Sequence, residues 1–222
     1  MTVIEPKRLD AGHPHQIKKH SASLRLWHWL NAVVISGSLL TVLLNSTLLN
    51  TWQNARLITN QLKDAGVNIT QQQARSAAHA LSDKDWTWHT YFGYVLVGLL
   101  AFRLLLEFFQ LADQKFLRKL KFARDNYIVI KKNRELSRHE FWVKTLYAVF
   151  YLMLATQAVT GLCLAFEDDV PALKAIHAFR EIHSFTMYLI LGFMFLHLAG
   201  VFLAERKDSR GIVSDMINGG RS

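Results

Sequence analysis

The chain carries one cysteine, Cys163, which excludes an internal disulfide and any iron–sulfur cluster held by cysteines alone. It has no internal repeat and no low-complexity tract, and only three prolines in 222 residues. Acidic residues are the minority, 17 against 26 lysines and arginines. No A-x-A cleavage signal follows the first apolar block, which ends in LLNSTLLN. That block is too long for the apolar core of a leader, so it is expected to remain as a permanent helix.

Apolar residues make up 51% of the chain, and they are gathered rather than spread. Four blocks, residues 26–49, 88–110, 141–166 and 183–204, are each long enough to cross a ~30 Å hydrocarbon layer as a helix. The expected fold is an all-α, integral-membrane four-helix bundle over residues 21–208, with polar tails at 1–20 and 209–222. The net charge of +9 is distributed as a topology signal. Five Lys/Arg lie before the first span, nine between residues 111 and 138 and four after residue 204, against four and two in the alternate loops. This positive-inside bias predicts that both termini are cytoplasmic. It accounts for the basic excess together with attraction to lipid headgroups, and nothing further supports nucleic-acid binding.

The connections have character of their own. Residues 50–87 are long for a bundle loop, and Thr70 with Gln73 fits a capping box opening a helix through Ala74, Ala77, Ala78 and Leu81. Gly66 separates that helix from an amphipathic stretch containing Leu57, Ile58 and Leu62. This short helical extramembrane hairpin either covers a functional edge of the protein, meets a partner, or is simply surface. Residues 111–140 are basic and predict a helix lying on the membrane surface through KFLRKLKFARDNYIVIKK. The loop 167–182 is acidic, with Glu167, Asp168, Asp169 and Glu181. Trp27, Trp29, Trp86, Trp88 and Trp142 stand at span ends, where indoles anchor at headgroup level.

Histidines carry the chemistry. His183 and His197 are fourteen residues apart in the last span, which is ~21 Å of rise with a return to nearly the same face. His28 and His89 stand near the starts of the first and second spans. With alternating helix direction, His28 meets the level of His197, and His89 that of His183. Imidazoles within a membrane are functional candidates by default, and two pairs at two depths suit two six-coordinate haem irons. Zinc or copper fits less well, since each level offers two histidines and no third ligand. The lone cysteine excludes C-x-x-C-H attachment, so any haem is non-covalent. Gly93 and Gly200, one turn beyond His89 and His197, would let a porphyrin approach the backbone.

RLWHWLNA around His28, WHTYFGYVLVGLLAFRLLLEF around His89 and IHSFTMYLILGFMFLH resemble bacterial four-helix di-haem cytochromes b. That group includes the cytochrome subunit of membrane-bound nickel–iron hydrogenases, the gamma subunit of formate dehydrogenase and superoxide oxidase-like quinone cytochromes. The C-terminal GIVSDMINGGRS looks most like the hydrogenase subunit. The resemblance runs from residue 21 onward. It implies a multi-pass protein of the bacterial inner membrane with two haem b groups, His28 and His197 on the inner and His89 and His183 on the outer. It also implies electron transfer between a periplasmic oxidoreductase, hydrogenase-like, and the quinone pool. A freestanding superoxide oxidase-like enzyme is the alternative, and a non-redox scaffold a third reading. Candidate quinone donors are His139, Arg138, Arg103 and Glu107. Arg103 and Glu107 are four residues apart, and pairing with each other is the stronger reading for them. Arg25 and Arg206 either hold haem propionates or serve as positive-inside flanks.

Overall fold

The computed structural model describes residues 22–109, 116–130, 134–206 and 211–219. The N-terminal tail with His13, His15 and His20 lies outside the described residues. Everything regular among the described residues is helical: α1 (Ala22–Ser46), α2 (Thr51–Asp64), α3 (Gln71–Phe109), α4 (Phe116–Asp125), α5 (Arg134–Ala165), α6 (Pro171–Lys174), α7 (Ala178–Arg206) and α8 (Ile212–Asn218). A π-helical turn, Asn126–Ile130, follows α4 directly. Helices α1, α3, α5 and α7 are long and apolar enough to cross a membrane. Their bulky side chains point outward: on α7 Phe185, Phe195, Leu196 and Phe202 are all exposed. Hydrocarbon is the solvent that accepts such a surface, while the helix satisfies its own backbone groups.

Three helices depart from the sequence expectation. The helix opened by Thr70 does not stop before the second span. It runs unbroken for 39 residues through Phe109, because no glycine or proline occurs between Gly66 and Gly93 and nothing else halts the hydrogen-bond ladder. The third long helix likewise begins at Arg134, ahead of its apolar block. The basic surface helix is shorter than the stretch that suggests it, since regular α-helix ends at Asp125.

The described residues form two compact units, one drawn from the ranges 1–29 and 99–222 and the other from 30–98. In the unit 30–98, Asn50 caps α2 by accepting from the backbone N–H groups of Trp52 and Gln53, both at 3.2 Å. After α2 the chain turns at Gly66, whose φ of 78° suits a residue without Cβ. The capping box then opens α3: Thr70 N–H donates to Gln73 Oε1 at 2.8 Å, and Gln73 N–H donates to Thr70 Oγ1 at 3.2 Å. Ala55, Ala74 and Ala78 form the buried seam of this hairpin, flanked by Ile58 and Ile69. Small residues let the two backbones approach closely, and Arg75 stacks 3.9 Å over the Trp52 ring.

In the other unit α5 packs along α7, and α4 packs on α5. Helix α8 is tied down at both ends. Glu205 at the end of α7 accepts from Gly211 N–H (2.7 Å) and Val213 N–H (3.4 Å), supplying a cap that Gly211 itself lacks. The carbonyls of Ile217 and Met216 accept from Arg25 Nη1 (2.5 Å) and Trp29 Nε1 (3.2 Å).

Candidate functional site

His28 sits between two anchored indoles. Trp27, 8% exposed, donates Nε1–H to Leu99 O at 2.9 Å, and Trp29 donates to Met216 O. These bonds fix the azimuth of α1 on either side of His28. Its ring faces that of His197 on α7, with centroids 6.2 Å apart and planes at 57°. Phe193, one turn before His197, lies parallel to the His197 ring at 6.1 Å and stacks at 4.6 Å on Phe150 of α5.

His89 lies on α3 in the unit 30–98, where α1 surrounds its Nδ1 with oxygen. Thr41 Oγ1 is at 2.8 Å, Ser38 O at 3.3 Å and Ser38 Oγ at 3.4 Å. Trp86, one turn before, meets the imidazole edge-on at 5.2 Å. Towards the end of α1, Asn45 bridges two α3 side chains: its amide N–H donates to Asp85, and its carbonyl accepts from Ser82 Oγ at 2.5 Å. At Gly37 a Cβ would stand 2.7 Å from Cζ of Phe92, so the helices meet at a glycine.

His183 lies on α7 in the other unit and is held by α5. Thr160 Oγ1 is 3.0 Å from Nδ1, and the Gln157 amide nitrogen is 2.9 Å from Nε2. Gln157 Oε1 is buried without a hydrogen-bond partner among the described residues. The ring lies so close to α5 that a Cβ on Gly161 would be 3.1 Å from its Cε1.

Gly93 is half-buried and Gly200 exposed, and both leave open space where a Cβ would stand. Arg25 gives one N–H to Ile217 O, while its Nε is buried with no partner among the described residues. Arg206 lies over the Phe202 ring at 5.0 Å. Arg103 donates from Nε to Tyr151 Oη at 3.1 Å, and its Nη2 is 3.9 Å from Glu107 Oε2. Glu107 also accepts from the Phe116 backbone N–H. Arg138 is exposed near the start of α5; the His139 side chain lies outside the described residues. Sequence reasoning does not mark Thr41, Thr160, Gln157, Gly161 or Gly37. The one signal they offer is that of polar or small residues inside apolar spans, which cost free energy unless they have partners.

The spacing of His28 and His197 fits a haem. An imidazole nitrogen binds a metal at ~2.0 Å and lies ~1.1 Å from its ring centre, so two imidazoles on opposite sides of one ion have centres ~6 Å apart. His28 and His197 have that separation. Among the described residues no three His, Cys, Asp or Glu side chains converge to hold a metal ion. A porphyrin needs only two protein ligands, because it brings four nitrogens of its own. The buried Arg25 Nε has a donor to offer a carboxylate.

Fold and site together define a multi-pass helical membrane protein with histidines set among its spans. Residues 19–219 match the family described as prokaryotic cytochrome b561, and the chain belongs to that family. It is thus a bacterial membrane b-type cytochrome that binds haem b and serves electron transfer. No curated protein and no solved structure matches the chain.

Proposed function

We propose that the protein carries electrons across the bacterial inner membrane, between a periplasmic oxidoreductase of the hydrogenase type and the quinone pool, through two haem b groups. The facing rings of His28 and His197, 6.2 Å apart, carry this reading. In it, His28 and His197 hold one iron and His89 and His183 the other. When bound, each haem supplies one-electron redox chemistry. Two histidines on an iron leave no open coordination position, which suits electron transfer rather than oxygen binding.

The chain's own part is positional. Trp27 and Trp29 orient α1 about His28. Gly93 and Gly200 leave room beside two of the ligands, and Arg25, with Arg206 as a second candidate, offers donors to propionates. Arg103 and Glu107 are occupied with each other, Tyr151 and the start of α4, which supports a structural role for them. Arg138 and His139, at the start of α5, are the candidates for quinone contact and proton delivery. The Lys/Arg bias supports cytoplasmic termini, with the α2–α3 hairpin on the periplasmic side.

A reduced-minus-oxidised spectrum with a pyridine haemochrome count tests this. About two b-type haems per chain are expected from two histidine pairs; one or none overturns the two-haem reading. Quinone-linked superoxide oxidation by the purified chain alone would replace the partner-dependent role with a freestanding one.

A further inference from the structure

Both histidines assigned to the outer haem end the same chain of hydrogen bonds. Thr41 Oγ1 donates to its own helix at Ser38 O, 2.6 Å away. Thr160 Oγ1 donates likewise to Thr156 O at 2.7 Å. A hydroxyl has one proton. With that proton spent on a backbone carbonyl, each threonine can only accept from the imidazole beside it. Proton and lone pair are thereby assigned on both rings: Nδ1 carries the hydrogen and Nε2 the lone pair.

Other contacts agree. Ser38 O, 3.3 Å from His89 Nδ1, is a carbonyl and can only accept. The Gln157 amide nitrogen, 2.9 Å from His183 Nε2, is a donor, which marks Nε2 as the nitrogen with the lone pair; iron bound at that lone pair would displace this amide. The arrangement occurs once in each unit, on α1 for His89 and on α5 for His183. Threonines in apolar helices often bond back to carbonyls of the preceding turn; here the same hydroxyl then receives a histidine from another helix.

We propose that Thr41 and Thr160 are positioning residues that fix the tautomer and ring plane of His89 and His183, so that each presents Nε2 to iron. The proposal rests on the haem reading of these histidines. An N–H group that donates to a fixed acceptor makes its imidazole a stronger electron donor. The threonines therefore stabilise the ferric iron and hold the potential down, as well as helping to retain the haem.

The test uses the full-length protein in detergent or nanodiscs, with Thr41→Val, Thr160→Val and the serine variant at each position. Valine keeps the shape and removes the acceptor; serine restores it. Valine is expected to raise the midpoint potential of the affected haem, shift its low-spin ferric EPR signal and weaken haem retention by roughly 10–100-fold. Thr41→Val should show the smaller shift, because Ser38 O remains as an acceptor. Serine should return the potential to that of the parent protein. Unchanged potential, EPR signal and haem content in both valine variants would overturn the proposal. If a valine variant loses every haem, alanine and serine at that position decide: alanine matching serine in potential also overturns it. The haem reading fails separately, if His89→Ala and His183→Ala keep the full haem complement.

Discussion

Gly161 and His183 are packed so closely that the glycine's missing side chain sets the position of the ring: a Cβ would lie 3.1 Å from Cε1. The imidazole has little freedom to retreat, with Thr160 and Gln157 engaging its two nitrogens. Alanine at 161 brings two opposed effects. Helix propensity gains about 0.5–1 kcal/mol, while overpacking costs about 1–3 kcal/mol. The clash is expected to win locally, so Gly161→Ala should lower haem retention at His183 severalfold, and Gly161→Val should lower it further. Titrating haem into the purified variants measures this; parental affinity in the valine variant would show that the ring is free to move.

Gly37 faces a harder obstacle. Its Cβ would meet the rigid Phe92 ring at 2.7 Å, so Gly37→Ala should destabilise by about 1–3 kcal/mol. Gly98, with no atom within 4 Å of its would-be Cβ, is the control. Gly98→Ala should be neutral or stabilising by up to about 1 kcal/mol. Thermal unfolding in one detergent ranks the two, and equal midpoints would refute the difference.

His197→Ala and His28→Ala should each remove the same haem and spare the other, because both rings address one space. Spectral haem counts on the two single variants and the double variant check this. The double variant should lose no more than either single one. A double that loses both haems, or singles that lose neither, would break the pairing.

Removing the carboxylate of Glu205 should release α8. Hydrogen bonds to a charged acceptor contribute about 1.5–3 kcal/mol, and here two backbone N–H groups share one. Glu205→Ala should speed amide exchange across residues 211–219 by roughly tenfold or more, the change a loss of about 1.4 kcal/mol produces, while the haem spectrum stays unchanged. Exchange at the parental rate would mean that Arg25 and Trp29 hold α8 without it.

The four long helices are legible in the sequence because apolar runs of that length have few other solutions. The Thr70/Gln73 capping box is legible too, since its signal is local. The unbroken course of α3 is harder to read: polarity changes sharply near residue 88, and polarity suggests boundaries that the backbone does not recognise when no breaker is present. The environment of each histidine is less legible still. Thr41 is 48 positions from His89 and Thr160 is 23 from His183, and a threonine within an apolar run looks the same whether or not a ring bonds to it. Gly161 escapes notice for a related reason. Its significance lies in another helix's side chain, whereas Gly93 and Gly200 stand out by their spacing from a histidine on their own helix.

The 39 residues of α3 amount to ~58 Å of helical rise, about twice the ~30 Å thickness of membrane hydrocarbon. Its first turns are packed into the α2 hairpin by Ala74 and Ala78, and His89 lies roughly three to four turns further along, within the same unit. A helix without a hinge is stiff over that distance, so a tilt at the hairpin becomes a tilt at His89. A protein docked on the hairpin would therefore have a mechanical lever on the imidazole.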